Sequence, residues 1–313
     1  MQFQGKGLFV YSDPGAAKAI LAQVVKVRES LQAYKIFSDR DYPFSKAFGV
    51  DVEIAGKNPQ EIFDSFQPDF LFCGTSYTSN LELMFIREAL HRNIPSNSYI
   101  DHYVLFKKRF EFESSMIYPD KIFVIDERAS KLAIADGIPE NKIQVFGNPY
   151  YDYLGEYKPQ VSRDEFFDLI GIKDHSKKLV VFAPEPLSNI NGKEKYGFDE
   201  VDAFAEIQQV LDEKDYNCHF IFKQHPNQDM ERLKNRLSEK FIILDPASDT
   251  NTLMFYSDII VGFFSNFLIE AAVMKKKILR LQLMKVENDP IKELNIGTVV
   301  NIKSMQRELE CLN

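Results

Sequence analysis

The chain has 313 residues, 45% of them hydrophobic and 27% charged, and its formal net charge is −8. This length predicts two domains, each with its own core, and the composition is ordinary for a globular protein. The acidic balance argues against a general nucleic-acid-binding protein.

Cysteine usage and apolar runs indicate where the protein works. None of the three cysteines, Cys73, Cys218 and Cys311, has metal-ligand spacing, and an odd number gives no disulfide framework. The first residues lack the pattern of a signal peptide, and no apolar run reaches transmembrane length. We therefore expect a cytoplasmic protein that needs no metal.

Short apolar runs alternate with helical patterns through the first half of the chain. Small residues in the turn 12–17 fit either a ligand close to a helix start or tight strand–helix packing. The pattern predicts strands at 7–11, 34–38, 50–53, 69–73, 94–100, 121–126 and 143–146, and helices from the turn 12–17 to about 31 and at 59–66, 80–92 and 127–136.

The alternation restarts after residues 155–163, which contain Gly, Pro and charged residues without an apolar period. We interpret this segment as a linker between an N-terminal domain, 1–154, and a C-terminal domain, 155–313. Both are predicted to be α/β, Rossmann-like, doubly wound parallel sheets that face a central cleft. In the second half we expect strands at 178–182, 218–222, 241–244, 259–261 and 277–281, and helices at 200–211 and 230–237.

Several common catalytic motifs are missing from the sequence. It contains no GxGxxG, no Walker motif, no HExxH and no GxSxG. Their absence disfavours dinucleotide oxidoreductases, P-loop enzymes, zinc proteases of that type and α/β-hydrolases.

The segment Phe222-Lys223-Gln224-His225-Pro226 follows directly from a predicted buried strand. Lys223 and His225 therefore lie at the carboxyl end of that strand, where open α/β sheets bind ligands. An ammonium and an imidazole two residues apart suit a phosphate. The alternative is a solvated lysine and a surface histidine.

Other strand ends of the second half carry polar groups that would meet Lys223 and His225. Pro184 to Ser188 follow one strand. Ser265 or Asn266 is placed to cap the next helix. The N-terminus of that helix suits a pyrophosphate; the alternative is that the residue is a cap alone. Glu270, one turn into that helix, is placed to accept hydrogen bonds from a ribose or is solvated.

The first half contributes Asp101 and His102 at another strand end, followed by the basic cluster 107–109. A carboxylate beside an imidazole can act as a general base. The alternative is a strand-end cap and a surface histidine.

These motifs, together with the turn Gly147-Asn148-Pro149 before the linker, resemble those of GT-B-fold sugar-nucleotide enzymes. The nearest resemblance is to the CDP-glycerol glycerophosphotransferase and capsule-polysaccharide transferase group, with similarity to non-hydrolysing UDP-GlcNAc 2-epimerases. It covers mainly residues 121–281. The N-terminal half is similar only in its alternation of elements.

The resemblance implies a glycosyltransferase-like enzyme. It would move a group from a nucleotide-activated donor, a sugar nucleotide or a CDP-polyol, to a cell-surface carbohydrate or lipid-linked acceptor, with no further cofactor. Alternatives are a sugar-nucleotide epimerase and a non-catalytic nucleotide-binding scaffold. Peripheral contact with the inner membrane face is left open, as is the oligomeric state.

The resemblance also implies roles for the candidate residues. Lys223 and His225 would contact the donor phosphates, and His225 would assist catalysis. Asp101 or His102 would supply the base. The remaining donor-binding residues would be Pro184 to Ser188 at the base or phosphate, Ser265 and Asn266 at the pyrophosphate, and Glu270 at the ribose.

Overall fold

The protein is described by a computed structural model that covers residues 3–56, 58–246 and 248–312. The chain divides into two compact units, the first ending at Tyr153 and the second beginning at Leu154. Each unit contains one wholly parallel sheet with helices between its strands. The predicted pair of Rossmann-like α/β folds is therefore confirmed.

Unit 1 contains a seven-stranded parallel sheet in the order β3-β2-β1-β4-β5-β8-β9 and a separate two-stranded hairpin, β6-β7. The last helix of the unit, α5, continues into unit 2. Its elements are β1 (Lys6–Tyr11), α1 (Pro14–Val27), β2 (Ala33–Ser38), β3 (Glu53–Ile54), α2 (Pro59–Phe66), β4 (Phe70–Cys73), α3 (Leu81–His91), β5 (Ser96–Ile100), β6 (Glu111–Phe112), β7 (Ser115–Met116), β8 (Lys121–Val124), α4 (Glu127–Ala135), β9 (Ile143–Val145) and α5 (Pro149–Gly155).

Unit 2 contains a six-stranded parallel sheet in the order β12-β11-β10-β13-β14-β15. Its elements are α6 (Arg163–Leu169), β10 (Lys178–Phe182), α7 (Gly192–Tyr196), α8 (Glu200–Glu213), β11 (Cys218–Lys223), α9 (Met230–Leu233), β12 (Phe241–Leu244), α10 (Thr250–Tyr256), β13 (Ile259–Gly262), α11 (Asn266–Val273), β14 (Lys277–Leu281), β15 (Thr298–Val300) and α12 (Ile302–Glu310).

Both sheets reverse their strand order beside the first strand of the unit. In unit 1 the chain winds outward from β1 through β2 and then returns to the other side at β4. In unit 2 the same reversal separates β10 from β13. In such folds ligands bind at the carboxyl edge beside this reversal, between the loops that follow the strands on either side of it.

Apolar residues on both faces of the central strands build the two cores. Phe9 and Val10 of β1, and Val180 and Val181 of β10, are fully buried. Because helices cover both faces of a parallel sheet, such strands are continuous apolar runs without alternation, which is why the sequence identified them. Fully burying a Phe or Val side chain contributes about 1.5–3 kcal/mol.

Some predicted elements differ from the structure. The helix predicted at 230–237 ends at Leu233, where Arg236 N–H and Leu237 N–H both bond to the Leu233 carbonyl in a turn. Only Leu233 of this helix is buried, and an unpacked short helix is marginal in water. The predicted linker ends in helix α6. The capping box between Ser162 and Glu165 indicates the start of this helix in the sequence.

The limits of other predicted elements also differ from the structure, most clearly for the first helix and the third strand. The first helix, expected to reach about Leu31, ends at Val27 and continues as a 3₁₀ turn to Ser30. The third strand, expected at 50–53, forms at Glu53–Ile54, where both residues are exposed at the sheet edge. Within the part of the chain that the structure describes, no helix combines the length and apolarity needed to cross a membrane.

A buried ion pair stabilises the end of β14. Arg280 Nη1 lies 2.8 Å from Asp289 Oδ2, with side-chain exposures of 6% and 5%. The same oxygen accepts a hydrogen bond from Gln282 Nε2 at 3.1 Å, and Asp289 Oδ1 accepts one from Ile291 N–H at 3.0 Å. The pair therefore connects the last residues of β14 to the loop that follows.

Replacing Asp289 with alanine should lower the free energy of unfolding by about 3–5 kcal/mol, because the Arg280 guanidinium would stay buried without its carboxylate. Urea denaturation followed by circular dichroism measures the loss. The matched control is Glu53→Ala, which breaks the surface pair of Lys35 and Glu53 and should change stability little. Equal losses in the two variants would contradict the structural role of Asp289.

Candidate functional site

Lys223 and His225 lie together at the carboxyl edge of unit 2. Lys223 is the last residue of β11, and its Nζ lies 5.4 Å from the centroid of the Phe267 ring at the start of α11. His225 follows in the loop, half-buried, and the Lys223 charge acts on its imidazole. The lysine and the imidazole predicted from their spacing to lie together are thus close to each other, and Lys223 lies beside the start of α11.

The protonation state of His225 is determined by its surroundings. Burial, and then the positive charge of Lys223, lower the pKa of His225 below its usual value. Asn227 N–H donates to His225 Nδ1 at 3.1 Å, so the neutral ring carries its proton on Nε2. At neutral pH His225 therefore offers one N–H donor, whereas Lys223 supplies the positive charge.

Ser188 is held in place by a buried carboxylate that the sequence analysis did not identify. Glu200, the fully buried first residue of α8, accepts hydrogen bonds from Ser188 N–H at 2.8 Å and from Ser188 Oγ at 2.6 Å. Gln228 Nε2 donates to the same carboxylate at 3.2 Å. Glu200 thereby joins the loop after β10 to the loop after His225.

Pro184 and Glu185, earlier in the loop after β10, have different surroundings. Pro184 is buried and lines a small apolar cavity with Phe204, Phe263 and Leu281. Glu185, which the sequence analysis did not single out, accepts hydrogen bonds from Phe264 N–H at 2.7 Å and Phe263 N–H at 3.3 Å. Burial raises the pKa of Glu185 to about 7.

The start of α11 contains the remaining candidates of unit 2. Ser265 is the N-cap by its backbone conformation, but its side chain makes no capping hydrogen bond. Its Oγ is buried without a partner among the described residues. Asn266 is exposed as the first helical residue, and Glu270, one turn later, is 8% exposed. Ser265 thus begins the helix through its backbone and not through its side chain.

Asp101 and His102 of unit 1 lie next to Asp13, the N-cap of α1. His102 Nε2 lies 3.7 Å from Asp101 Oδ2, and ligand atoms of all three residues fall within 4.8 Å of one another. Such a group could hold a divalent cation. The expectation that the protein needs no metal stays a prediction.

The Asp101 carboxylate is held at the end of β5 in an unusual environment. Its side chain is 10% exposed, and Oδ1 has no hydrogen-bond partner among the described residues. Burial raises the pKa of Asp101, which His102 and Arg109 oppose and Asp13 reinforces. An added Cβ at Gly15 would overlap Asp101 Oδ2, so only glycine at this point of α1 allows the carboxylate its place.

Arg109, in the same unit, is a buried residue whose burial the sequence analysis did not predict. The sequence placed it in the basic cluster 107–109, and the structure buries its side chain to 1% exposure. Its Nη1 donates to the Thr75 carbonyl at 3.2 Å, and Thr75 Oγ1 donates to the Tyr99 carbonyl at 3.4 Å. No local sequence signal distinguishes Arg109 from its exposed neighbours Lys107 and Lys108, because only the fold decides which one is covered.

The sequence model of the CDP-glycerol:poly(glycerophosphate) glycerophosphotransferase family matches residues 126–283, half of the chain. The match includes the end of unit 1 and the loops with Glu185, Lys223, His225 and Ser265.

Two Staphylococcus aureus enzymes are similar in sequence. Over 152 residues the chain is 30% identical to teichoic acid ribitol-phosphate polymerase TarK, covering 46% of this chain and 28% of that enzyme. Over 152 residues it is 28% identical to the polymerase TarL, covering 46% of this chain and 25% of that enzyme. The chain thus spans about a quarter of the length of these curated relatives.

Solved structures with a similar fold include two UDP-GlcNAc 2-epimerases. The Methanocaldococcus jannaschii enzyme has a TM-score of 0.66 at 16% identity, covering 96% of this chain and 90% of its own. The Neisseria meningitidis enzyme, bound to UDP-GlcNAc, has a TM-score of 0.65 at 13% identity, covering 96% and 88%. At these identities the similarity concerns the fold, and the resemblance inferred from the sequence is confirmed.

Gly15→Ala should destabilise unit 1 by about 1–3 kcal/mol, because the new methyl group displaces the buried Asp101 carboxylate. Urea denaturation of Gly15→Ala, Asp101→Ala and the double variant measures the coupling between the two positions. In the Asp101→Ala background the cost of the methyl group should disappear.

The matched control is Gly56→Ala, since an added Cβ at Gly56 meets nothing within 4 Å. It should leave stability nearly unchanged. If Gly15→Ala costs the same with and without the Asp101 carboxylate, the close approach of α1 to Asp101 is refuted.

Proposed function

We propose that this chain, which belongs to the CDP-glycerol:poly(glycerophosphate) glycerophosphotransferase family, transfers an alcohol-phosphate or sugar group from a nucleotide-activated donor to a cell-surface polymer. The observation that carries the proposal is the position of Lys223 and His225 inside the matched segment. Both lie at the carboxyl edge where ligands bind in doubly wound sheets, and Lys223 lies beside the start of α11.

Unit 2 binds the donor in this proposal. Lys223 neutralises part of the pyrophosphate charge, and His225 donates from Nε2 to a phosphate oxygen. The first N–H groups of α11 lack partners within the helix and carry the positive end of its dipole. Asn266 and the unpartnered Ser265 hydroxyl add donors for the same group, whereas Ser188 and Glu270 face the nucleoside.

His102 with Asp101 is the proposed base. The acceptor hydroxyl must lose a proton as it attacks the phosphorus or the anomeric carbon of the donor. His102 is half exposed and can take that proton, while Asp101, 3.7 Å from its Nε2, orients the ring and stabilises the imidazolium that forms. Asp101 can do this only when ionised. Burial raises its pKa, and the charges of His102 and Arg109 oppose that rise.

Catalysis then consists mostly of positioning and electrostatic stabilisation. In phosphoryl transfer the negative charge builds up on the departing nucleotide. Lys223 and the His225 N–H are in place to stabilise it before the reaction begins, which costs no reorganisation. The acceptor carries an attacking hydroxyl on a polymer or a lipid-linked primer, and the reaction then takes place at the inner face of the membrane.

A second candidate function is 2-epimerisation of a UDP-sugar. The fold similarity to two UDP-GlcNAc 2-epimerases favours it, but that similarity is limited to 16% and 13% identity. The family match supports transfer instead. A scaffold that binds nucleotide without turnover is the third possibility, and assays distinguish all three.

The purified protein should consume CDP-glycerol or CDP-ribitol only when a teichoic-acid primer is present, releasing CMP. Thermal shift with CDP-, UDP- and GDP-linked ligands should identify the donor first, because a ligand that binds only the folded state raises the melting temperature. Conversion of UDP-GlcNAc without any acceptor would establish the epimerase instead. Binding without turnover in every mixture would establish the scaffold.

His225→Ala should lower turnover about ten- to a hundredfold, because a hydrogen bond to a charged group is worth about 1.5–3 kcal/mol. His225→Gln should restore much of the activity, since its amide N–H can replace Nε2–H. Circular dichroism should show both variants folded. If His225→Ala keeps full activity, or if it unfolds while its folded fraction binds donor normally, the assignment of His225 is wrong.

A further inference from the structure

Glu185 connects the two loops that part at the strand-order reversal of unit 2. It lies three residues beyond β10, and its carboxylate accepts N–H groups of Phe263 and Phe264, which follow β13. These two residues immediately precede Ser265 and the start of α11. A single carboxylate therefore determines the position of the turn from which the helix N-terminus begins.

This placement is unexpected for an anion-binding edge. Backbone N–H groups at a helix start can bind a phosphate or another anion. Here two of them already bind a carboxylate of the protein itself, while the buried Ser265 Oγ beside them has no partner among the described residues. An incoming pyrophosphate would thus meet a negative charge next to its own site.

The charge of Glu185 can be removed near neutral pH. Burial raises the pKa of Glu185 to about 7, against the hydrogen bonds from Phe264 and Phe263 that lower it. Lys223, His225 and Arg280 lie at the neighbouring strand ends. None of these three groups contributes to the raised pKa of Glu185. The Arg280 charge is held by Asp289.

We propose that Glu185 couples donor binding to the uptake of one proton, so that the carboxyl group is neutral when a nucleotide-linked pyrophosphate occupies the start of α11. The proposal rests on the donor site proposed above. A phosphate beside a carboxylate disfavours the ionised form of the carboxylate. Solvent supplies the proton, and the resulting O–H can donate to a phosphate oxygen, whereas the remaining carboxyl oxygen still accepts from the turn.

Linkage then determines the pH dependence. Below the pKa that Glu185 has in the unliganded protein, the carboxyl group is already neutral, and donor binding takes up almost no proton. Above it, each binding event requires a proton, so affinity should fall by up to about tenfold per pH unit. Donor binding should therefore weaken from about pH 7 upward.

The test is calorimetric titration of the whole chain with CDP-glycerol, whose doubly esterified pyrophosphate does not itself titrate in this range. Repeating the titration at pH 7.5 in buffers of different ionisation enthalpy gives the number of protons exchanged. The wild type should take up a substantial fraction of one proton. Glu185→Gln, whose amide oxygen can still accept from the turn, should take up almost none and should bind about tenfold more tightly than the wild type at pH 8.

His225→Gln is the matched control, because His225 is the other group beside the phosphates that can gain a proton. It should weaken binding and leave the proton uptake unchanged. Uptake that disappears in His225→Gln and persists in Glu185→Gln would overturn the assignment to Glu185, as would a wild type that binds without uptake. If CDP-glycerol and UDP-GlcNAc both fail to bind the wild type at any pH, the donor site itself is refuted and this inference with it.

Discussion

The reversal of strand order beside β1 and β10 is the constraint on which the rest of the structure depends. Parallel strands place all their carboxyl ends at one edge of the sheet, and the reversal parts the loops there. In unit 2 this brings the loops with Glu185, His225 and Ser265 to the same edge. In unit 1 it does so for Asp13, which follows β1, and for Asp101, which follows β5. Residues far apart in the sequence thus become neighbours without any long-range motif.

Buried carboxylates hold these loops in the same way in both units. Glu200 accepts the backbone N–H and hydroxyl of Ser188, and Glu82 accepts the same two groups of Ser12 at 2.8 and 2.6 Å. Each glutamate lies in the first turn of its helix and is almost fully buried. Burial raises the pKa of Glu82 to about 7. Such groups are expensive to bury, and full hydrogen bonding offsets the cost while it fixes the loop.

The charges at the two edges have distinct tasks. At the edge of unit 2 only Lys223 of the Lys–His pair is charged at neutral pH, because burial and Lys223 itself keep His225 neutral. In unit 1 the buried Arg109 favours the ionised form of Asp101, whereas burial and Asp13 disfavour it. The edge of unit 2 thus pairs a charged lysine with a neutral imidazole, whereas unit 1 places a buried arginine near a carboxylate whose pKa is raised.

The sequence by itself determined the two α/β units, the central strands and the places of Lys223, His225, Asp101 and Ser265 at strand ends. It could do so because a buried parallel strand and the loop that follows it are formed by consecutive residues. It also determined the family resemblance, through the order and spacing of those loops. Only the tertiary structure decided the state of each side chain. It showed that Arg109 is buried while its basic neighbours are exposed, that Ser265 does not cap its helix through its side chain, and that Glu185 binds the turn before α11. These properties depend on burial and on partners distant in the chain, and neither is expressed in local composition.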